Sequence, residues 1–127
     1  MPEAPLPRPT DAELSILRVL WRCGPCTVRK VTEELEVETG YTTALKLLQI
    51  MHEKGLVVRD DSERTHVFSP ALPAERTRRQ LLDHLLDQAF GGSAHQLVQQ
   101  ALAGRRPSKS EIASLRQLLD SLERKSS

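Results

Sequence analysis

Tyr41-Thr42-Thr43-Ala44-Leu45-Lys46-Leu47-Leu48-Gln49-Ile50-Met51-His52-Glu53-Lys54-Gly55-Leu56-Val57 decides how this chain folds. A helix advances about 100° per residue, which brings Leu47, Leu48 and Met51 within about 60° of Ala44 and makes them one buried stripe. The opposite side presents Thr42, Lys46, Gln49 and Glu53, with Ile50 at its margin. Hydroxyl, ammonium and amide groups on one face suit phosphates and base edges in a DNA major groove, so this helix is a candidate reader. Gly55 stops it, and Leu56-Val57 begins a strand.

Upstream, Thr10-x-x-Glu13 has the spacing of a capping box, and Leu14, Leu17, Leu20 and Trp21 supply a helical stripe that Gly24-Pro25 ends. Thr27 is placed to cap a second helix that turns Val28, Val31 and Leu35 inward and leaves Glu33, Glu34, Glu36 and Glu38 in solvent, until Gly40 breaks it. Downstream, residues 56–59 and 65–68 read as two short strands around the polar turn 60–64, and Pro70 closes the unit. Three helices joined by tight turns and ended by a β-hairpin describe a winged helix-turn-helix, with the third helix as reader and the hairpin on the backbone. A small helical bundle with a solvated polar face fits the same periodicity, and a helical adaptor using that face to hold a protein partner is the corresponding alternative function.

Charge bounds how such a protein could hold DNA. The chain has 127 residues and a net charge of +1. Residues 1–70 hold 9 Lys/Arg against 11 Asp/Glu, whereas residues 71–127 hold 9 against 6. Binding must therefore come from where Arg18, Arg29, Lys30, Lys46, Lys54, Arg59 and Arg64 point, not from bulk attraction. No apolar run reaches the roughly 18 residues of a membrane span, and residues 1–9 resemble no leader, so a cytoplasmic protein without membrane contact is expected, with those residues disordered.

Beyond Pro73 three more helical patterns follow without a strand. Leu81, Leu82, Leu85, Leu86 and Ala89 form one stripe, Leu97, Val98, Ala101 and Leu102 a second, and Ile112, Leu115, Leu119 and Leu122 a third at alternating spacings of three and four. Phe90 is the only aromatic residue there, which makes a poor stand-alone core. A second copy of the chain would cover these faces, so Leu82, Leu85, Leu97, Ala101, Ile112, Leu115, Leu119 and Leu122 are the expected dimerisation residues, with a private helical subdomain as the alternative. The expected organisation is a winged-helix DNA-binding domain over 10–72 and a helical dimerisation domain over 73–127, mainly α with one small hairpin. A dimer would set two reading helices about 34 to 36 Å apart, or a multiple of that, in successive major grooves.

Cys23-Gly24-Pro25-Cys26 spells the thioredoxin active-site tetrapeptide. Thiol exchange needs the first cysteine at a helix start after a strand, whereas the segment before Cys23 is helical by period. Three readings stay open: an oxidoreductase, a redox-responsive repressor using Cys23 and Cys26, and two incidental thiols. No closed metal site is expected from two cysteines and histidines at 52, 66, 84 and 95, no cofactor is implied, and no catalytic grouping is present, so the chain is not read as an enzyme.

Asp11-Ala12-Glu13, Leu17 through Trp21, Gly24-Pro25, Thr27, Tyr41-Thr42-Thr43, Leu47-Leu48, Lys54-Gly55-Leu56, Arg64 through Pro70 and Ser108-x-x-Glu111-Ile112-x-x-Leu115-Arg116 together resemble the penicillinase-repressor family of bacterial regulators. The resemblance implies a winged-helix homodimer on a pseudo-palindromic operator in duplex DNA. It places Thr43 at a recognition-helix threonine with Thr42 beside it, and Arg64 at a basic wing tip on backbone phosphate. Lys46 suits guanine acceptors, Gln49 adenine, and Ile50 a thymine methyl, where related repressors often carry arginine. Thr27 would cap its helix, bind phosphate, or do both. The antibiotic-resistance branch implies a sensor protease that cuts the dimerisation arm before a phenylalanine, and the corresponding Gln100-Ala101 lacks it. The copper-responsive branch has a cysteine-rich tail, whereas this tail reads Glu123-Arg124-Lys125-Ser126-Ser127.

Overall fold

The computed structural model describes residues 8–126, so most of the segment expected to be disordered, 1–9, lies outside the described residues. The elements run α1 (Asp11–Cys23), β1 (Cys26–Thr27), α2 (Val28–Glu34), α3 (Tyr41–Lys54), β2 (Val57–Asp60), β3 (Val67–Pro70), α4 (Ala74–Ala89), α5 (Ala94–Gly104) and α6 (Lys109–Ser126). The chain divides into two compact units, one ending at Leu82 and the other beginning at Asp83.

In the first unit, three helices and a three-stranded antiparallel sheet ordered β1-β3-β2 make a winged helix. The capping box forms: Thr10 Oγ1 accepts from Glu13 N at 3.2 Å, and Thr10 N donates to Glu13 Oε1 at 2.9 Å. The stripe expected on α1 is too narrow. Ile16, Leu17, Val19 and Leu20 are buried with Glu13, while Leu14 and Trp21 are half-buried. Ile16 and Val19 line a depression shared with Leu35 and Leu47, so α1 is covered from two sides, which one face could not achieve. Trp21 satisfies its indole by donating to the Leu72 carbonyl at 3.0 Å.

Helix α2 ends at Glu34 instead of continuing to Gly40. Arg22 reaches across to the Glu34 carbonyl at 3.4 Å and to its carboxylate at 3.2 Å, supplying the donor that further helical turns would have provided. Helix α3 closes with Gly55 at φ 84 and with Leu56 N donating to Met51 O at 2.9 Å. This Schellman turn needs the left-handed conformation that glycine adopts without a Cβ clash.

The strands are displaced from 56–59 and 65–68. β2 pairs with β3 so that Arg59 faces Phe68 and Val57 faces Pro70. Pro70 is tolerated because β1 pairs only with Val67 and Phe68, leaving the far side of β3 open at Pro70. Burial of Ala44, Leu48, Met51, Val28, Val31, Leu56, Val57 and Phe68 with the α1 residues forms the core.

Helix α4 starts after Pro73, and its Thr77 is buried. Beyond Thr77 no described residue is buried. Ser93 caps α5 through Gln96 N at 3.1 Å, and Ser108 Oγ accepts from Glu111 N at 3.1 Å at the start of α6. Among the described residues no helix is long and apolar enough to cross a membrane, and no group of three or more His, Cys, Asp or Glu could hold a metal ion.

Candidate nucleic-acid interface

Helix α3 carries its polar face as its sequence dictates. Thr42, Thr43, Lys46, Gln49 and Glu53 are exposed, Ile50 is half-buried at the edge, and Ala44, Leu48 and Met51 are buried. Gly40, at the N-cap, offers no side-chain hydrogen bond, and no acidic residue occupies the first turn. The positive end of the helix dipole therefore faces outward beside two threonine hydroxyls, an arrangement that accepts an anionic oxygen.

Next to that end lies an open groove lined by Thr27, Arg29, Tyr41, Arg64, Thr65 and His66 over a floor of Val28 and Leu45. It brings Thr27 and Arg29 together with Arg64, three residues singled out in the sequence, the last far from the others along the chain. Thr27 takes its position from two demands: it pairs with Val67 on β3 and its Oγ1 accepts from Lys30 N at 3.2 Å, capping α2. Tyr41, Thr65 and His66 were not singled out by sequence reasoning. Tyr41 follows the helix-breaking Gly40 and Thr65-His66 follow Arg64, but only the packing of wing on helices shows that these three line one groove.

Ion pairs sort the basic residues. Lys54 Nζ binds the buried Glu13 carboxylate at 2.9 Å, Lys30 Nζ lies 3.1 Å from Glu34, and Arg59 Nε lies 2.8 Å from Asp61 without hydrogen-bond geometry. Lys54, counted from sequence among cations available to DNA, is thus held by the buried Glu13. Arg29, Lys46 and Arg64 make no ion pair among the described residues. All three project from α2, α3 and the wing around the groove or the exposed face of α3.

The wing tip is shaped by Asp60, whose Oδ1 accepts from Ser62 N at 2.9 Å; this backbone hydrogen bond holds its carboxyl below the usual aspartate range. Asp61 Oδ1 lies 2.8 Å from Arg59 Nε and 3.6 Å from His66 Nε2. The hydrogen bond and charge of Lys30 lower the Glu34 carboxyl.

Cys23 and Cys26 are free thiols. Cys23 ends α1 and is exposed; Cys26, in β1, is buried, and its Sγ donates to Gly24 O at 3.1 Å. A first cysteine at the carboxyl end of a helix is the reverse of the thioredoxin arrangement. Burial, with a smaller contribution from Cys23, pushes the Cys26 thiol up.

Of the expected dimerisation residues, Leu82, Leu85, Ala101, Ile112, Leu119 and Leu122 are exposed and Leu97 and Leu115 are half-buried. Helices α5 and α6 contain no buried residue.

A family model described as penicillinase repressor matches residues 9–121. A curated relative, the transcriptional regulator BlaI of Mycobacterium tuberculosis, is 32% identical over 96 residues, which cover 73% of this chain and 70% of that protein. A solved structure of a probable transcriptional regulator from Pseudomonas aeruginosa aligns with a TM-score of 0.46 and 26% identity over 89% of this chain and 77% of its own.

Proposed function

Because the chain belongs to the penicillinase repressor family of transcriptional regulators, we propose that it represses transcription as a homodimer on a pseudo-palindromic operator in duplex DNA. Helix α3 enters the major groove and the wing lies on the backbone. The observation that carries this reading is the groove of Thr27, Arg29, Tyr41, Arg64, Thr65 and His66 abutting the amino end of α3. Hydroxyl and guanidinium donors line an open groove next to an outward-facing polar helix face.

Within that arrangement Thr42 and Thr43 meet phosphate at the helix end, Lys46 and Gln49 reach base edges, and Ile50 contacts a thymine methyl at the margin of the face. Arg29 and Arg64 neutralise phosphates on either side. Around the groove and the face of α3 only Arg29, Lys46 and Arg64 are cations without an ion pair among the described residues, so one copy binds weakly and two held at a fixed spacing bind usefully. The apolar faces of α5 and α6 supply the dimer contact, since a single copy buries none of their residues.

The protein then acts in the cytoplasm, where its operator is. A sensor protease acting on the dimerisation arm would meet Gln100 and Ala101 inside α5, both exposed and without the family's phenylalanine.

Selection and sequencing of genomic DNA fragments retained by the purified protein tests this function. Enrichment of an inverted repeat with half-sites one helical turn apart, or a multiple of it, is expected. If no fragment is enriched at moderate salt, the DNA-binding reading fails and a protein-binding adaptor takes its place.

A further inference from the structure

Cys23 and Cys26 contribute nothing to the exposed face of α3, yet they sit on the segment that positions the groove beside it. Cys23 is exposed at the end of α1, and Gly24, at φ 82, turns the chain immediately after it. The Cys26 Sγ points back to the Gly24 carbonyl at 3.1 Å, which brings this thiol towards the end of α1. The next residue, Thr27, caps α2 and lines the groove, and β1 pairs Cys26 with Phe68 and Thr27 with Val67. A covalent change at Cys26 therefore reaches the wing and the α2 cap without an intermediary.

We propose that Cys23 and Cys26 form a dithiol modification site, which a hydroperoxide converts to an intrachain disulfide that weakens the hold on DNA. The effect on DNA rests on the function proposed above; formation of the disulfide does not. The exposed Cys23 thiolate attacks a peroxide oxygen, the O–O bond breaks, and the hydroxide released takes up the thiol proton and leaves as water, giving a sulfenic acid. The Cys26 sulfur then attacks the Cys23 sulfur, the S–O bond breaks, and the departing hydroxide takes the Cys26 proton as a second water. Two thiols lose two electrons and one hydrogen peroxide is reduced to two waters. Burial keeps Cys26 protonated and shielded, so Cys23 reacts first and Cys26 resolves. Closing the bond takes the Cys26 Sγ off the Gly24 carbonyl and ties the end of α1 covalently to β1, the strand whose pairing with β3 and whose Thr27 cap adjoin the groove.

The test treats the full-length reduced protein with hydrogen peroxide and follows intact mass, free thiols and affinity for the fragment most enriched in the selection above. Loss of two hydrogens with both thiols blocked is expected, together with binding about tenfold weaker that dithiothreitol restores. Cys23→Ser should bind as the reduced wild type does and ignore peroxide. Two thiols that stay free, a sulfinic acid on Cys23 with Cys26 untouched, or a link between two chains overturns the proposal. Undiminished binding after the disulfide has formed overturns its regulatory half. If the reduced protein retains no DNA at all, it is the proposed function that fails, and mass and thiol count still decide the modification site.

Discussion

Glu13 holds Lys54 on both carboxylate oxygens, at 3.0 and 2.9 Å, while the same carboxylate accepts from Thr10 N. One buried side chain thus starts α1 and fastens the last turn of α3. The orientation of α3 is set by this tie together with the burial of Leu48 and Met51. Burial pushes the Glu13 carboxyl up, but the Thr10 N–H and the Lys54 ammonium outweigh it, and the group ends below the usual glutamate range.

Lys54→Met should cost about 2 kcal/mol at neutral pH, because it strands a buried carboxylate; the partly solvated lysine keeps the loss below that of a fully buried pair. Denaturant unfolding measures it. Adding Glu13→Gln should recover part of the loss, and a double mutant with no recovery would show that the two residues do not act as a pair.

Acid should act on the same tie. A carboxyl whose pKa is lowered in the folded state stabilises the fold at pH above its unfolded pKa, and that contribution disappears as pH falls through the folded value. The wild type should therefore lose stability on acidification below the ordinary glutamate range, and Glu13→Gln should lose less over that interval. Parallel pH profiles would assign the acid sensitivity elsewhere.

Thr27 has two roles that one pair of substitutions separates. Thr27→Ala should cost about 1 kcal/mol through loss of the α2 cap. Thr27→Asp should keep the cap and recover stability, yet weaken DNA binding at low salt by placing a negative charge in the groove. Unfolding curves and fluorescence anisotropy on the same samples check both, and equal DNA affinity for Thr27→Asp and wild type would remove Thr27 from the interface.

Lys46 and Arg64 should differ in kind. Lys46→Ala should relax preference at one base pair at a cost of about 1 to 3 kcal/mol, whereas Arg64→Ala should weaken all sequences alike and lower the salt slope by about one. Binding titrations over a range of salt, with matched and singly altered operators, distinguish them, and swapped results would exchange the two roles.

Leu119, 63% exposed on α6, tests the dimer. Leu119→Asp should raise the dimer dissociation constant about a hundredfold while leaving the winged unit folded. Sedimentation velocity together with near-ultraviolet circular dichroism of Trp21 reads both, and an unchanged dimer would move the interface off this face.

The sequence by itself determined the local elements whose causes are local. Thr10 and Glu13 cap one another three residues apart, Thr27 caps its own helix, Gly55 ends α3, and of the stripe that helical period draws through Ala44, Leu47, Leu48 and Met51 all but the half-buried Leu47 are buried. The outward side of α3 followed from the same period. Tertiary structure decided what depends on distant partners. It ended α2 at Glu34, where Arg22 donates to the last carbonyl, set the strands at 57–60 and 67–70 through the pairing of β2 with β3, and tied Lys54 to the buried Glu13. It also placed Tyr41, Thr65 and His66 beside Thr27 and Arg64, a juxtaposition that exists only once the wing packs against two helix starts. Periodicity records which way a side chain points, and only packing decides what it meets.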